Sequence, residues 1–190
     1  MGGTFDPIHY GHLVTAEEAL VQFALDGVLF VPTGQPWMKE ERDVSPAEHR
    51  YLMTVIATAS NPRFSVSRME VDRHGPTYTV ETLRALAEEN PDAELYFITG
   101  ADAMLEILHW KDPEEVLSLA HFIAATRPGY DLAHFQAEAA SHHPKVTVMT
   151  IPALAISSTD IRQRVREGRA IRYLVPEGVK TYIEKVGLYR

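Results

Sequence analysis

The sequence predicts a single-domain α/β fold built on a parallel sheet. Short apolar runs, four to eight residues long, alternate with helical patterns. Each run is apolar nearly throughout and is bounded by Pro, Gly or Thr, as in strands buried on both faces. Parallel strands need helical crossovers, which the alternating patterns supply. A chain of 190 residues is long enough to bury a real core, and no repeat, low-complexity stretch or linker divides it.

The chain opens at Met1-Gly2-Gly3, with no apolar strand ahead of its glycine loop. Such a loop follows a strand in α/β folds, so the expectation is that a first strand is missing, through a truncated chain or a late start. Residues 27–33 (GVLFVPT) then read as a strand. Ser45-Pro46-Ala47-Glu48 gives a helix its cap, a Pro at the first helical position and an acid in the first turn. Leu52, Val55, Ile56 and Ala59 follow as its apolar face. Residues 63–67 are a weaker strand candidate, and Thr79 and Thr82 sit near the start of a further helix. Residues 94–100 (ELYFITG), 121–127 (HFIAATR) and 145–152 (KVTVMTIP) are the remaining strands. Ser158-Thr159-Asp160 opens a helix running to Glu167, and residues 176–186 form a terminal helix. A ligand belongs beyond the carboxyl ends of the strands, where loops lead into helices.

Composition narrows the function. Without cysteine there can be no disulfide, thiolate nucleophile or cysteine-ligated zinc. No signal pattern opens the chain and no apolar run is long enough to span a bilayer, so an intracellular, cytoplasmic protein without a membrane partner is expected. The net charge of -8 argues against sequence-independent nucleic-acid binding. It leaves phosphate ligands open, because these need only local positive potential.

The densest chemical signal is the string from Gly2 to His12, GGTFDPIHYGH. Adjacent glycines let backbone amides approach a polyphosphate, and the helix that follows aims its positive end at the same place. His9 and His12 share a face and can donate hydrogen bonds to phosphate oxygens. Taken singly, Gly-Gly is a turn and a histidine pair is a surface or core feature. The pair could also be half a metal site, but no third ligand has suitable spacing, so no protein metal site is expected. A second signal, Ile156-Ser157-Ser158-Thr159-Asp160-Ile161-Arg162, gathers hydroxyls at a helix start with Arg162 one turn further in. Phosphate binding and a plain N-cap explain it about equally. A third is Gly100-Ala101-Asp102, where Asp102 could accept from ribose hydroxyls or merely cap a helix. Trp110 could stack on a flat heterocycle, although packing is the commoner role of Trp. Thr77-Tyr78-Thr79, Lys39 and Arg42 in a polar loop, and Arg127-Pro128-Gly129 are weaker candidates.

GGTFDPIHYGH resembles the nucleotidyltransferases with an HxGH signature, above all the bacterial nicotinate mononucleotide adenylyltransferases. The likeness runs the whole length, through SPAEHRYLM, RMEVDRHGPTYTVETL, YFITGADAMLEILHW, TRPGY and ISSTDIR. GPTYTVETL, GADA and HW are the parts that favour the nicotinate enzymes over their sister transferases. The resemblance implies a Rossmann-like doubly wound parallel sheet with helices on both faces. It implies the reaction of ATP with nicotinate mononucleotide to give deamido-NAD and pyrophosphate, with Mg²⁺. By position, Gly2, Gly3, Thr4 and Phe5 would line the ATP site with backbone around Ile156 and with Thr159. His9 and His12 would contact ATP phosphates, and Ser158 and Arg162 would hold the β- and γ-phosphates. Thr79 and backbone near Lys111 would read the nicotinate carboxylate, Trp110 would stack on the pyridine, Asp102 would bind ribose and Lys39 the phosphate, with Arg127 also facing the site. Three positions depart from the family pattern: Met38 stands for His, and Thr77 and Thr126 each stand for Ser.

A phosphate monoester is ionised at neutral pH and needs no general base, so positioning and charge stabilisation suffice for its attack on the α-phosphorus. Rival readings keep the chemistry but change the acceptor to nicotinamide mononucleotide, phosphopantetheine, or a sugar- or glycerol-phosphate with CTP. Another makes the chain a non-catalytic nucleotide-binding module. A P-loop kinase is disfavoured because GxxxxGK[ST] is absent. The sequence leaves the oligomeric state, a homo-oligomer included, open.

Overall fold

The computed structural model describes residues 1–36, 44–126, 145–152 and 154–190. Along the chain run β1 (Gly2–Gly3), α1 (Tyr10–Gln22), β2 (Val28–Pro32), the two-residue β3 (Gln35–Pro36), α2 (Ala47–Thr58) and β4 (Phe64–Val66). They are followed by the two-residue β5 (Pro76–Thr77), α3 (Thr79–Glu89), β6 (Tyr96–Gly100) and α4 (Ala101–Leu105). A 3-10 turn (Ile107–His109), α5 (Pro113–Leu119), β7 (His121–Thr126) and β8 (Val146–Thr150) come next. The last elements are α6 (Ser158–Arg166) and α7 (Glu177–Val186). This is an α/β fold, and every strand pair with a described register is parallel.

The chain divides into two compact units. The first comprises residues 3–76 and 154–190. Its strands are ordered β1-β2-β4, with Val28 opposite Phe64 and Phe30 opposite Val66. The glycine pair, expected to follow a strand, itself forms one: the Gly3 carbonyl accepts from the Thr33 amide at 2.9 Å. Phe30 is wholly buried and packs against the rings of Phe5 and Phe64. Burying a side chain of that size contributes roughly 2–3 kcal/mol.

The second unit comprises residues 1–2 and 77–153. Its parallel sheet is ordered β6-β7-β8, with Ile98 opposite Ile123 and Ala125 opposite Met149. Val80 and Leu83 of α3, Met104 of α4, Val116 and Leu117 of α5, and Phe122 of β7 form one buried cluster with their neighbours. Among the described residues, no helix is long and apolar enough to cross a membrane.

Helix α2 departs from its expected form. Its N-cap is Pro46 rather than Ser45. The buried face is Arg50, Met53, Thr54, Ala57 and Thr58, while Ile56 is exposed. Apolar periodicity selected Leu52, Val55, Ile56 and Ala59, which at about 100° per residue is the opposite face of the helix. The reason is polar satisfaction. Thr54 and Thr58 return their hydroxyls to the carbonyls of Arg50 and Thr54, four residues back. The Arg50 guanidinium donates to four backbone carbonyls: Ser45 at 2.8 Å, Thr4 at 2.9 Å, Gly34 at 2.7 Å, and Thr33. A buried charge so fully hydrogen-bonded does not need an exposed position.

Candidate active site

The first unit holds a pocket of about 450 Å³ lined by Thr4, Phe5, Asp6, His12, Val44, Ser158, Thr159 and Arg162. The two densest signals of the sequence therefore meet, although they lie some 150 positions apart. Helix α6 makes the junction. Ser157 caps it, its side chain accepting from the Asp160 amide at 3.1 Å. The Ser158 hydroxyl donates to the Pro7 carbonyl at 2.9 Å, and Arg162 Nη1 donates to the Asp6 carbonyl at 2.8 Å. The glycine loop is thus pinned to the start of a helix whose positive end favours an anion.

Helix α1 carries the histidines. His9 is its N-cap, with extended backbone, and its ring stacks on His12 at 3.7 Å between centroids. Gly11 makes this arrangement possible, because a Cβ there would meet Cε1 and Nδ1 of His9 at 3.0 Å. The two rings differ in exposure and setting. His9 is 6% exposed and does not line the pocket, whereas His12 does.

The state of His12 follows from two observations. The His9 amide donates to His12 Nδ1 at 3.2 Å, so Nδ1 is an acceptor and the neutral ring carries its proton on Nε2. Burial, with the neighbouring His9 adding to it, holds the imidazole well below its ordinary pKa. At neutral pH the ring is therefore an uncharged Nε2–H donor at a pocket wall. Phe5 packs edge-on against it at 5.1 Å and takes a left-handed backbone, φ 49°, while 2% exposed. A bulky residue with positive φ is strained, and such strain gathers at functional sites. Ile156 also borders this region, its carbonyl 3.8 Å from a Cβ placed on Gly11.

The acceptor candidates lie in the second unit. Thr79 is the first residue of α3 rather than its cap, which is Tyr78. Lys111 Nζ donates to Glu81 Oε1 at 2.8 Å and lies 4.4 Å from the centroid of the Tyr78 ring. The Glu81 hydrogen bond, more than any other influence, raises the pKa of the ammonium. Thr79, Tyr78, Glu81 and Lys111 therefore gather at the start of α3. Trp110 packs edge-on against Phe97 at 6.0 Å and borders the buried cluster. Asp102 is exposed in the first turn of α4, directly after β6. Lys39, Arg42 and Arg127 lie outside the described residues.

Reading the sequence missed three participants. Arg50 clamps the glycine loop through Thr4 and the end of β2 through Thr33 and Gly34. Asp6 is 3% exposed and accepts from the Ser45 amide and the Tyr189 hydroxyl. Tyr189 stands 183 positions from its partner, a separation no local pattern can signal.

Comparison with known proteins places this geometry in context. Residues 1–164 match the family described as cytidylyltransferase-like. A protein of Streptomyces coelicolor named "Probable nicotinate-nucleotide adenylyltransferase" is 62% identical over 190 residues, covering 100% of this chain and 99% of the relative. A Nocardioides protein of the same name is 62% identical over 189 residues, covering 100% and 92%. Among solved structures, the Plasmodium falciparum nicotinic acid mononucleotide adenylyltransferase complexed with NaAD superposes with a TM-score of 0.81. It is 22% identical, and the match covers 99% of this chain and 94% of that one, a likeness of fold.

Proposed function

The chain belongs to the cytidylyltransferase-like family, and from that premise we propose that it transfers AMP from ATP to nicotinate mononucleotide. The products are deamido-NAD (nicotinate adenine dinucleotide) and pyrophosphate, a step of NAD biosynthesis. The single observation that carries the reading is His12, a neutral Nε2–H donor on the wall it shares with Ser158, Thr159 and Arg162.

The mononucleotide phosphate attacks the α-phosphorus in line and pyrophosphate leaves. His12 donates to the oxygens where charge grows, while Ser158, Thr159, Arg162 and the start of α6 hold the departing phosphates. Thr4 and Phe5 line the same pocket, Gly2 and Gly3 precede them in the chain, and His9 orients His12 by stacking. ATP enters as its magnesium complex. The ion would be held by the nucleotide's own phosphates and would offset their charge. For the acceptor, Thr79 and backbone beside Lys111 read the carboxylate, Trp110 meets the pyridine and Asp102 the ribose; Lys39 would take the phosphate and Arg127 would assist.

His12→Ala tests the role directly. We expect kcat to fall by about 10²–10³-fold, the range for removing one donor to a transition-state oxyanion, with the KM for the mononucleotide nearly unchanged. His9→Ala lowers kcat in the same sense, by loosening His12. A near-normal kcat in His12→Ala rules the role out.

A further inference from the structure

We infer that Tyr189 is a positioning residue: its hydroxyl holds the Asp6 carboxylate so that Arg162 remains available to the phosphates of the nucleotide. The inference rests on the adenylyl-transfer reading for what enters the pocket. Tyr189 follows α7, which Gly187 closes in the left-handed conformation, φ 74°. Its hydroxyl donates to Asp6 Oδ1 at 2.6 Å, and the Ser45 amide donates to Asp6 Oδ2 at 3.1 Å. Both carboxylate oxygens are therefore engaged by groups other than Arg162.

This matters because of where Asp6 stands. It lines the same pocket as Arg162, and Arg162 Nη1 already donates to its backbone carbonyl at 2.8 Å. A carboxylate in a polyphosphate site repels the ligand and competes for the guanidinium that should bind it. Remove the phenol hydroxyl and Oδ1 loses its donor. Arg162, held on the same residue, is then the strong donor at hand, and a charge-assisted pair with Asp6 sets in. Phosphate must break that pair before it binds. Burial, and after it the Asp6 charge, hold the phenol far above its ordinary pKa, so it stays a donor throughout the neutral range.

The test uses the wild type, Tyr189→Phe, Asp6→Asn and the double variant. Calorimetry gives the Kd of a non-hydrolysable ATP analogue with Mg²⁺, and steady-state kinetics gives KM for each substrate. Tyr189→Phe should weaken the analogue about tenfold while the KM for nicotinate mononucleotide stays within about twofold. The double variant should recover most of the lost affinity, because Asn carries no charge to capture Arg162. Asp6→Asn alone should bind the analogue at least as well as the wild type. The inference is overturned by unchanged affinity in Tyr189→Phe, by equal losses for both substrates, or by a double variant as weak as the single. Should Tyr189→Phe not fold, weakened analogue binding in Asp6→Asn is the overturning result, and retained or improved binding supports the inference. A wild type without activity on nicotinate mononucleotide defeats the functional reading instead, and an active wild type with an unaltered Tyr189→Phe defeats this inference alone.

Discussion

At the scale of single residues, the burial of His12 makes stability depend on pH. Burial is the main cause of its lowered pKa, with His9 secondary, and the same burial makes it a neutral donor. The folded ring resists protonation while the unfolded one titrates near its ordinary value of about 6.5. Below that pH the unfolded chain binds more protons, so stability is full above about 6.5 and declines as pH falls towards the depressed folded value. His12→Ala should remove this contribution. Its melting temperature should fall less than that of the wild type between about pH 7.5 and 5.5, and equal falls would contradict the burial argument. Much at this scale was legible. His9, His12, Ser158 and Arg162 were named from spacing and resemblance, and the first unit brings His12, Ser158 and Arg162 to one pocket. What could not be read was their different settings: a pair sharing one helical face does not reveal that His9 is buried and that only His12 lines the pocket.

At the scale of elements, α2 shows how a polar core defeats pattern reading. Its inner face holds Arg50 at 1% exposure and two threonines bonded to their own helix. Leu, Val, Ile and Ala marked a stripe, but the stripe that packs is set by where a guanidinium finds carbonyls. These belong to Thr4, Thr33, Gly34 and Ser45, contributed by loops far apart in sequence. Removing the guanidinium takes a charged donor from each of them. Arg50→Met should therefore cost about 3 kcal/mol or more in urea unfolding, since a hydrogen bond to a charged group contributes roughly 1.5–3 kcal/mol. A loss below about 1 kcal/mol would show that water replaces the clamp. The strands were simpler to read. Residues 27–33, 94–100 and 145–152 bracket β2, β6 and β8, because short runs rich in β-branched and aromatic residues mark strands even where, as in β8, alternate positions are exposed. Helix α6 was legible for another reason, its hydroxyl-rich cap being a local signal.

At the scale of the whole molecule, the two ends of the chain do related work. The opening loop is held by α6 through Asp6 and Pro7, by α2 through Thr4, and by Tyr189 near the other terminus. The alternation of elements announced an α/β fold with parallel strands, and the fold follows it. Two compact units were not foreseeable, because no composition change or linker marks the passage between them. Thr79, Asp102, Trp110 and Lys111 fall in one unit and the pocket lined by His12, Ser158 and Arg162 in the other. The most direct test is pyrophosphate release with Mg-ATP and, separately, nicotinate mononucleotide, nicotinamide mononucleotide and phosphopantetheine. The account predicts strong preference for the nicotinate acceptor, with deamido-NAD formed in step with pyrophosphate. Activity with another acceptor alone would contradict the assignment of Thr79, Trp110 and Lys111, and ATP binding without pyrophosphate from any acceptor would contradict the account as a whole.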